Sequence, residues 1–270
     1  MTVPTLDALA LITRLKQAQR SAEGPGALVF DADGTLWTCD VGVDVFVDAL
    51  ERNLLREEAL EALLAEVARH GLDRTSDGSP ASFDASDPSS VGRHLERAFE
   101  LGIYEEKAAT EMQAWAYAGF TESELREHTR EALSRHQHTS QIYQPLMPIL
   151  IWARDAGIRT VIVSASPQIV VEEAARSLGF HSEDIVAGRC KAGSHGYLPE
   201  LVEPLPYGEQ KAIAGRRMLG DAHWLATFGD SAFDAAMLSQ AKLPVAVRPK
   251  PELVSRLGSI AGAVRFVEET

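Results

Sequence analysis

The chain has 270 residues, 45% hydrophobic and 24% charged, with a formal net charge of −13. That length supports a large core, alone or with a smaller companion. The acidity argues against binding nucleic acid or an anionic membrane, since both need clustered Lys and Arg.

Residues 5–21 place Leu6, Leu9, Ile12 and Lys16 at helical spacing, which predicts a leading amphipathic helix instead of a secretory leader. Gly24-Pro25-Gly26 then punctuates the chain, and "ALVF" (27–30) reads as a buried strand. Similar apolar runs recur at 159–165, 184–189, 223–230 and 243–249. Helical patterns lie between them at 146–156, 168–178, 209–219 and 232–241, with a short one at 250–257. This alternation predicts an α/β protein, a doubly wound parallel sheet of Rossmann type with right-handed crossovers.

Residues 38–140 break the rhythm. The stretch 43–69 reads as continuous helix, with a stripe of Val43, Val47, Leu50, Leu54, Leu60, Leu63, Leu64 and Val67. Residues 70–92 are rich in Ser, Asp and Gly and read as a long loop. Helical patterns resume at 93–101 and 104–118. Thr121 and Glu124 then form a capping signature for another helix. The expected organisation is a core of residues 1–37 and 141–270, with a helical cap inserted at 38–140.

No apolar stretch is long enough to span a bilayer. Cys39 and Cys190 are too few for a disulfide framework and read as reduced thiols. The expected location is the cytoplasm, and the sequence sets no oligomeric state.

Ligands of open parallel sheets bind beyond the carboxyl ends of the strands. Asp31 and Asp33 follow the first strand, Ser164 ends the second, and Asp230 and Asp234 follow the fourth. Lys211 opens the helix before that fourth strand. For Asp234 a plain capping role is as good a reading as a chemical one. Ser166 before Pro167 reads as a helix N-cap, which leaves the chemical role to Ser164.

Asp31 and Asp33 are the hardest pair to explain structurally, because neighbouring like charges disfavour each other's ionisation. A divalent cation resolves the conflict. Magnesium favours a few carboxylates, here Asp31 and Asp230, with a main-chain carbonyl near Asp33. Asp31 then stays ionised and nucleophilic while Asp33 can carry a proton. The same cation would neutralise a phosphoryl group. Ser164, before a helix N-terminus, and the ammonium of Lys211 suit phosphate oxygens.

Four motifs in this order, "DADGTLW" (31–37), "VIVSAS" (161–166), "GEQKAIA" (208–214) and "FGDSAFD" (228–234), resemble the haloacid dehalogenase superfamily in its phosphatase branch. The resemblance covers roughly 24–37 and 142–258. It implies Asp31 as nucleophile forming an aspartyl-phosphate, and Asp33 as the acid and then the base. It further implies Ser164 and Lys211 on the phosphate, and Asp230 on magnesium with Asp234 assisting. The helical insert, the "SASP" turn and the "GRC…GYLPEL" segment resemble the phosphoserine-phosphatase-like branch. There the acidic residue facing the substrate's amine corresponds to Asp40, and Arg74 and Arg93 are candidates for a cap arginine. The implied substrate is a small phosphorylated metabolite, phosphoserine or a related amine-bearing phosphate.

Trp37 is a candidate for stacking on a quaternary amine, with core-to-cap packing the stronger reading. Trp115, Tyr117 and Phe120 read as the core or lip of the cap. His136 and His138 read as solvated residues at a hinge, because i, i+2 residues do not share a helix face. A phosphomutase would share every core motif. Hydrolytic dehalogenation would not need Asp33, and a phospho-accepting signalling module would need neither Asp33 nor a cap.

Overall fold

Gly26–Phe30 is buried at every residue after its glycine, as a strand covered on both faces must be. It is the second of nine strands in the computed structural model, which describes residues 3–21, 24–75 and 78–268. In chain order the first half holds β1 (Thr5–Leu6), α1 (Ala8–Arg20), β2 (Gly26–Phe30), α2 (Val41–Glu51), α3 (Glu57–Arg69), α4 (Pro88–Glu100), α5 (Glu106–Trp115), α6 (Glu122–Arg135) and α7 (His138–Gln141). There follow α8 (Met147–Asp155), β3 (Arg159–Pro167), α9 (Gln168–Ala175), β4 (Ile185–Gly188), β5 (Cys190–Ala192), β6 (Tyr197–Leu201) and α10 (Glu209–Leu219). The last elements are β7 (His223–Gly229), α11 (Ala235–Leu238), β8 (Leu243–Val247), α12 (Pro251–Leu257) and β9 (Val264–Phe266).

Seven strands form one parallel sheet in the order β1-β9-β8-β7-β2-β3-β4. Leu28 of β2 stands beside Thr160 of β3 and Ala226 of β7. Three strands that end in polar motifs are therefore neighbours. β5 and β6 form a separate antiparallel hairpin. Among the described residues no helix is long and apolar enough to cross a membrane.

Helices α2 to α7 stand between β2 and α8. The chain leaves and re-enters the core side by side. Tyr143 N–H donates to Leu36 O at 2.8 Å and Thr38 N–H to Gln141 O at 2.9 Å. On its far side the insert meets the β5–β6 hairpin, where Gly119 N–H donates to Tyr197 O and Tyr197 N–H to Phe120 O, both at 2.8 Å. Gly196 turns this hairpin at φ +159°, and a Cβ there would lie 2.4 Å from Gly119 O. Arg126 of α6 bridges to α9 through Glu172 at 2.5 Å and Glu173 at 3.1 Å.

Several elements depart from the sequence expectation. The leading helix starts at Ala8, not residue 5, because Thr5–Leu6 pairs with β9 and Asp7 caps the helix. The stretch 43–69 is two helices, separated where Asn53 takes φ 53°, a left-handed conformation that Asn tolerates. The buried face of α2 is Val41, Val45, Phe46, Ala49 and Leu50, so Val43 and Val47 lie off it. Helix α4 begins at Pro88, inside the expected loop, with the Asp87 side chain accepting from Ser89 and Ser90 N–H. The Thr121–Glu124 capping box is present with both of its hydrogen bonds.

Candidate active site

Asp31 and Asp230 directly follow β2 and β7, Ser164 lies toward the carboxyl end of the adjacent β3, and all three are buried. Asp31 Oδ1 accepts from Lys211 Nζ at 2.5 Å, and its Oδ2 from Thr35 Oγ1 at 3.0 Å. Lys211 also donates to Asp234 Oδ1 at 2.6 Å. Asp234 Oδ2 accepts from Asp230 N–H at 3.1 Å, Ser231 N–H at 2.9 Å and Ser231 Oγ at 3.0 Å. Asp234 thus both caps its turn and orients Lys211. Lys250 Nζ stands 3.1 Å from Asp230 Oδ2.

Burial, then the Asp234 charge, pushes the Asp31 carboxyl well above its ordinary range, with Lys211 pulling it back. Burial and Asp234 also raise Asp230. Burial alone would lower the Lys211 ammonium, but the Asp234 and Asp31 charges outweigh it and hold the lysine protonated.

Asp31, Asp230 and Asp234 each offer a carboxylate oxygen within 4.8 Å of the others. An all-oxygen, negatively charged donor set suits a small hard divalent cation. Asp234 Oδ2 is committed to three donors of its own turn, whereas Asp31 and Asp230 meet only side-chain donors, so these two are the candidate ligating carboxylates. Gly34, at φ +77°, keeps this space open, for a Cβ there would lie 2.2 Å from Asp230 Oδ2.

The Asp33 carboxylate lies outside this cluster. Its Oδ1 accepts from Trp37 Nε1 and from Val41 N–H, both at 2.8 Å, and its Oδ2 accepts from Ser166 Oγ at 2.7 Å. The Asp33 side chain is thus engaged away from the three clustered carboxylates. Ser166 is not a helix N-cap. β3 runs on through Pro167, which precedes α9 and makes no side-chain cap bond. Ser166 N–H instead donates to Ser164 Oγ at 3.1 Å.

Trp37 offers no face to a ligand. It is 0% exposed, bonded to Asp33 and packed edge-on against His138 with ring centroids 5.1 Å apart. Asp40 caps α2 by accepting from Val43 N–H at 3.0 Å. It also lines a pocket of about 280 Å³ with Asp33, Asp230, Arg248 and Lys250. Its surroundings and then the nearby Asp33 charge raise this exposed residue's carboxyl above the ordinary range.

His138 is buried, not solvated. Its Nε2 faces Ala174 O at 3.2 Å and its Nδ1 faces Cys39 Sγ at 3.8 Å. His136 is half-buried. Tyr117 and Phe120 lie in the core of the insert, with Trp115 half-buried beside it. Arg93 is occupied by Leu50 O, Asn53 and Asp87, while Arg74 is exposed beside Asp73 and Gly78 O. Cys39 and Cys190 are free thiols.

The sequence reading missed four contributors. Thr35 steadies Asp31, Ser166 holds Asp33, and Lys250 faces Asp230. Arg248 has φ 42° and donates to Gly34 O at 2.5 Å and Trp37 O at 3.0 Å, pinning the loop that carries Asp33. The cations of "RPKP" after β8 were the available signal, since they follow a strand into the same edge.

The sequence profile of the haloacid dehalogenase-like hydrolases matches residues 28–239. The chain belongs to that family. No curated protein matches the sequence. Among solved structures, a Bordetella pertussis Tohama I protein of unknown function is similar with a TM-score of 0.66 at 18% identity, covering 91% of this chain and 99% of that one. A conserved, functionally unknown protein of Anaerococcus prevotii DSM 20548 gives 0.66 at 14% identity, with 96% and 90% covered. A probable phosphoserine phosphatase from Vibrio cholerae, in unliganded form, gives 0.53 at 15%, with 90% and 61% covered. These likenesses concern the fold. Within it, this haloacid dehalogenase-like hydrolase carries a buried acidic cluster at the edge where its three motif strands end.

Proposed function

We propose that this chain is a magnesium-dependent phosphatase acting on a small phosphomonoester through an aspartyl-phosphate on Asp31. The observation that carries this reading is the contrast between Asp31 and Asp33. Asp31 faces the Lys211 ammonium inside the acidic cluster, while Asp33 is held outside it by three neutral donors. One carboxylate is set up to attack, and the other to exchange a proton.

In the first step an Asp31 oxygen bonds to phosphorus. The bond from phosphorus to the leaving oxygen breaks, and that oxygen takes a proton from Asp33. In the second step water attacks phosphorus and gives its proton to Asp33. The bond to Asp31 breaks and inorganic phosphate leaves. Lys211 and Ser164 steady the phosphoryl oxygens throughout. A cation held by Asp31, Asp230 and the main chain at Asp33 would supply positive charge against those oxygens.

Helices α2 to α7 serve as the cap in this reading. The first helical residue, Val41, touches Asp33 directly, and α5 packs over β3. Such a cover excludes water from the intermediate and selects the leaving group. Asp40, at the pocket, is the carboxylate offered to an amine on the substrate, which favours phosphoserine or a related amine-bearing phosphate. The presence of Asp33 favours this chemistry over hydrolytic dehalogenation, which needs no such acid.

The test is phosphate release from amino-acid, choline-type and sugar phosphates, with and without magnesium, and with Asp31→Asn as control. Metal-dependent release that the variant lacks is expected. Release by Asp31→Asn at the wild-type rate, or none by wild type on any ester, overturns the reading.

A further inference from the structure

We infer that Ser166 is a positioning residue for Asp33, fixing the carboxyl oxygen that exchanges its proton with the leaving group. The inference rests on the phosphatase reading above.

The two oxygens of Asp33 are not equivalent. Oδ1 accepts from two N–H groups, Trp37 Nε1 and Val41 N, both at 2.8 Å. Neither donor can accept a hydrogen bond in return, so a proton on Oδ1 would point at two other protons. The transferable proton therefore belongs on Oδ2. There the partner is the Ser166 hydroxyl at 2.7 Å. A hydroxyl donates to a carboxylate and can turn to accept from a carboxylic acid, so it serves both states of the cycle.

Ser166 is itself well fixed. It is buried, and its N–H donates to Ser164 Oγ at 3.1 Å. One residue thus ties the acid to the hydroxyl at the phosphate end. Gly42 makes the room. A Cβ there would lie 2.8 Å from Ser166 Oγ and 3.2 Å from Ser166 Cβ. Gly42 stands in the first turn of α2 and is absent from the glycines with positive φ, so its backbone does not require glycine. The missing side chain leaves space for the serine.

The consequence depends on the leaving group. An aryl oxide such as p-nitrophenolate departs without much help from an acid, whereas an alkoxide needs its proton. The experiment measures leaving-group release in the first turnover, with enzyme in excess and magnesium present, which isolates the acid step. The esters are p-nitrophenyl phosphate and the best alkyl phosphate, and the proteins are wild type, Ser166→Ala and Gly42→Ala. Ser166→Ala should slow the alkyl ester roughly 10- to 100-fold and the aryl ester no more than about 3-fold, with half-saturating concentrations little changed. Gly42→Ala, which keeps the hydroxyl but crowds it, should show the same selective loss to a smaller degree.

Equal losses on both esters, or wild-type rates on both in both variants, overturn the inference while leaving the phosphatase reading intact. If Ser166→Ala does not fold, the Gly42→Ala selectivity alone decides. A wild-type protein that releases phosphate from neither ester overturns the underlying reading, and this inference with it.

Discussion

Lys211 donates to Asp31 Oδ1 at 2.5 Å while almost wholly withdrawn from solvent. The same ammonium holds Asp234 at 2.6 Å. It is thus the buried counter-charge for two of the three clustered carboxylates. Lys211→Met should leave those charges uncompensated. The expected cost is about 3–5 kcal/mol of stability, as for a buried pair stripped of one partner. Turnover should fall by at least about 100-fold, as when a positioned charge donor is removed. Chemical denaturation and steady-state kinetics check the two parts separately.

Asp31→Asn should be inactive yet no less stable at neutral pH. Burial and Asp234 raise the folded-state pKa of Asp31 above its ordinary value of 3.8. A raised acid contributes stability below its unfolded pKa and loses it as pH rises through the folded one. The variant's melting temperature relative to wild type should therefore improve from acid to neutral pH. A constant difference across that range would show that Asp31 carries no such burden.

Asp230→Asn should abolish the response to metal. Wild type should melt at a higher temperature when magnesium is added, because ligands that bind only the folded state stabilise it by mass action. The variant should show no such shift, and its turnover should be lost with it. Differential scanning fluorimetry over a magnesium series reads this without needing a substrate.

Glu124 offers a test at acid pH. Hydrogen bonds from Arg56, then from Thr121 N–H and its hydroxyl, lower its carboxyl to about 2 from an ordinary 4.5. For a depressed acid, the stabilisation is present above the unfolded pKa and vanishes as pH falls through the folded one. Wild type should therefore exceed Glu124→Gln in stability at pH 6, and the gap should close between pH 4.5 and pH 2. Urea melts of both proteins across that window are the measurement.

Gly196→Ala should loosen the insert from the core. The new methyl would meet Gly119 O at 2.4 Å, where Tyr197 pairs with Gly119 and Phe120. Overpacking of this kind costs about 1–3 kcal/mol. Faster amide exchange at Gly119 and Tyr197, with exchange in β2 unchanged, is the expected signature.

The strands that carry the chemistry were legible because each is buried on both faces and ends in polar residues. The α10 span, 209–219, matches its expectation residue for residue. β1 and β9 were not legible. Thr5–Leu6 and Val264–Phe266 are too short to show a period; β1 exists only because β9, from the other end of the chain, lies beside it, and β9 is held by β8 on its other side. Ser166 illustrates the limit within the site. Its local sequence, Ser before Pro, is that of a helix cap, and no local rule points to a partner 133 residues away. His138 was misread for the same reason, since Trp37 and Ala174 enclose it from distant parts of the chain. Asp87-Pro88 did signal the start of α4, but the polar composition around it hid the signal.

The doorway formed by Thr38 and Gln141, hydrogen-bonded at 2.9 Å, makes everything between them a closed excursion. Closing such a loop becomes costlier only slowly as it lengthens. Asp31, Ser164, Lys211 and Asp230 all lie outside the excursion in the chain, so a different one could be joined at the same doorway without displacing them. One obligation would travel with the graft. Asp33 Oδ1 takes an N–H from Val41, just inside the doorway, so any replacement must bring a donor of its own to that spot.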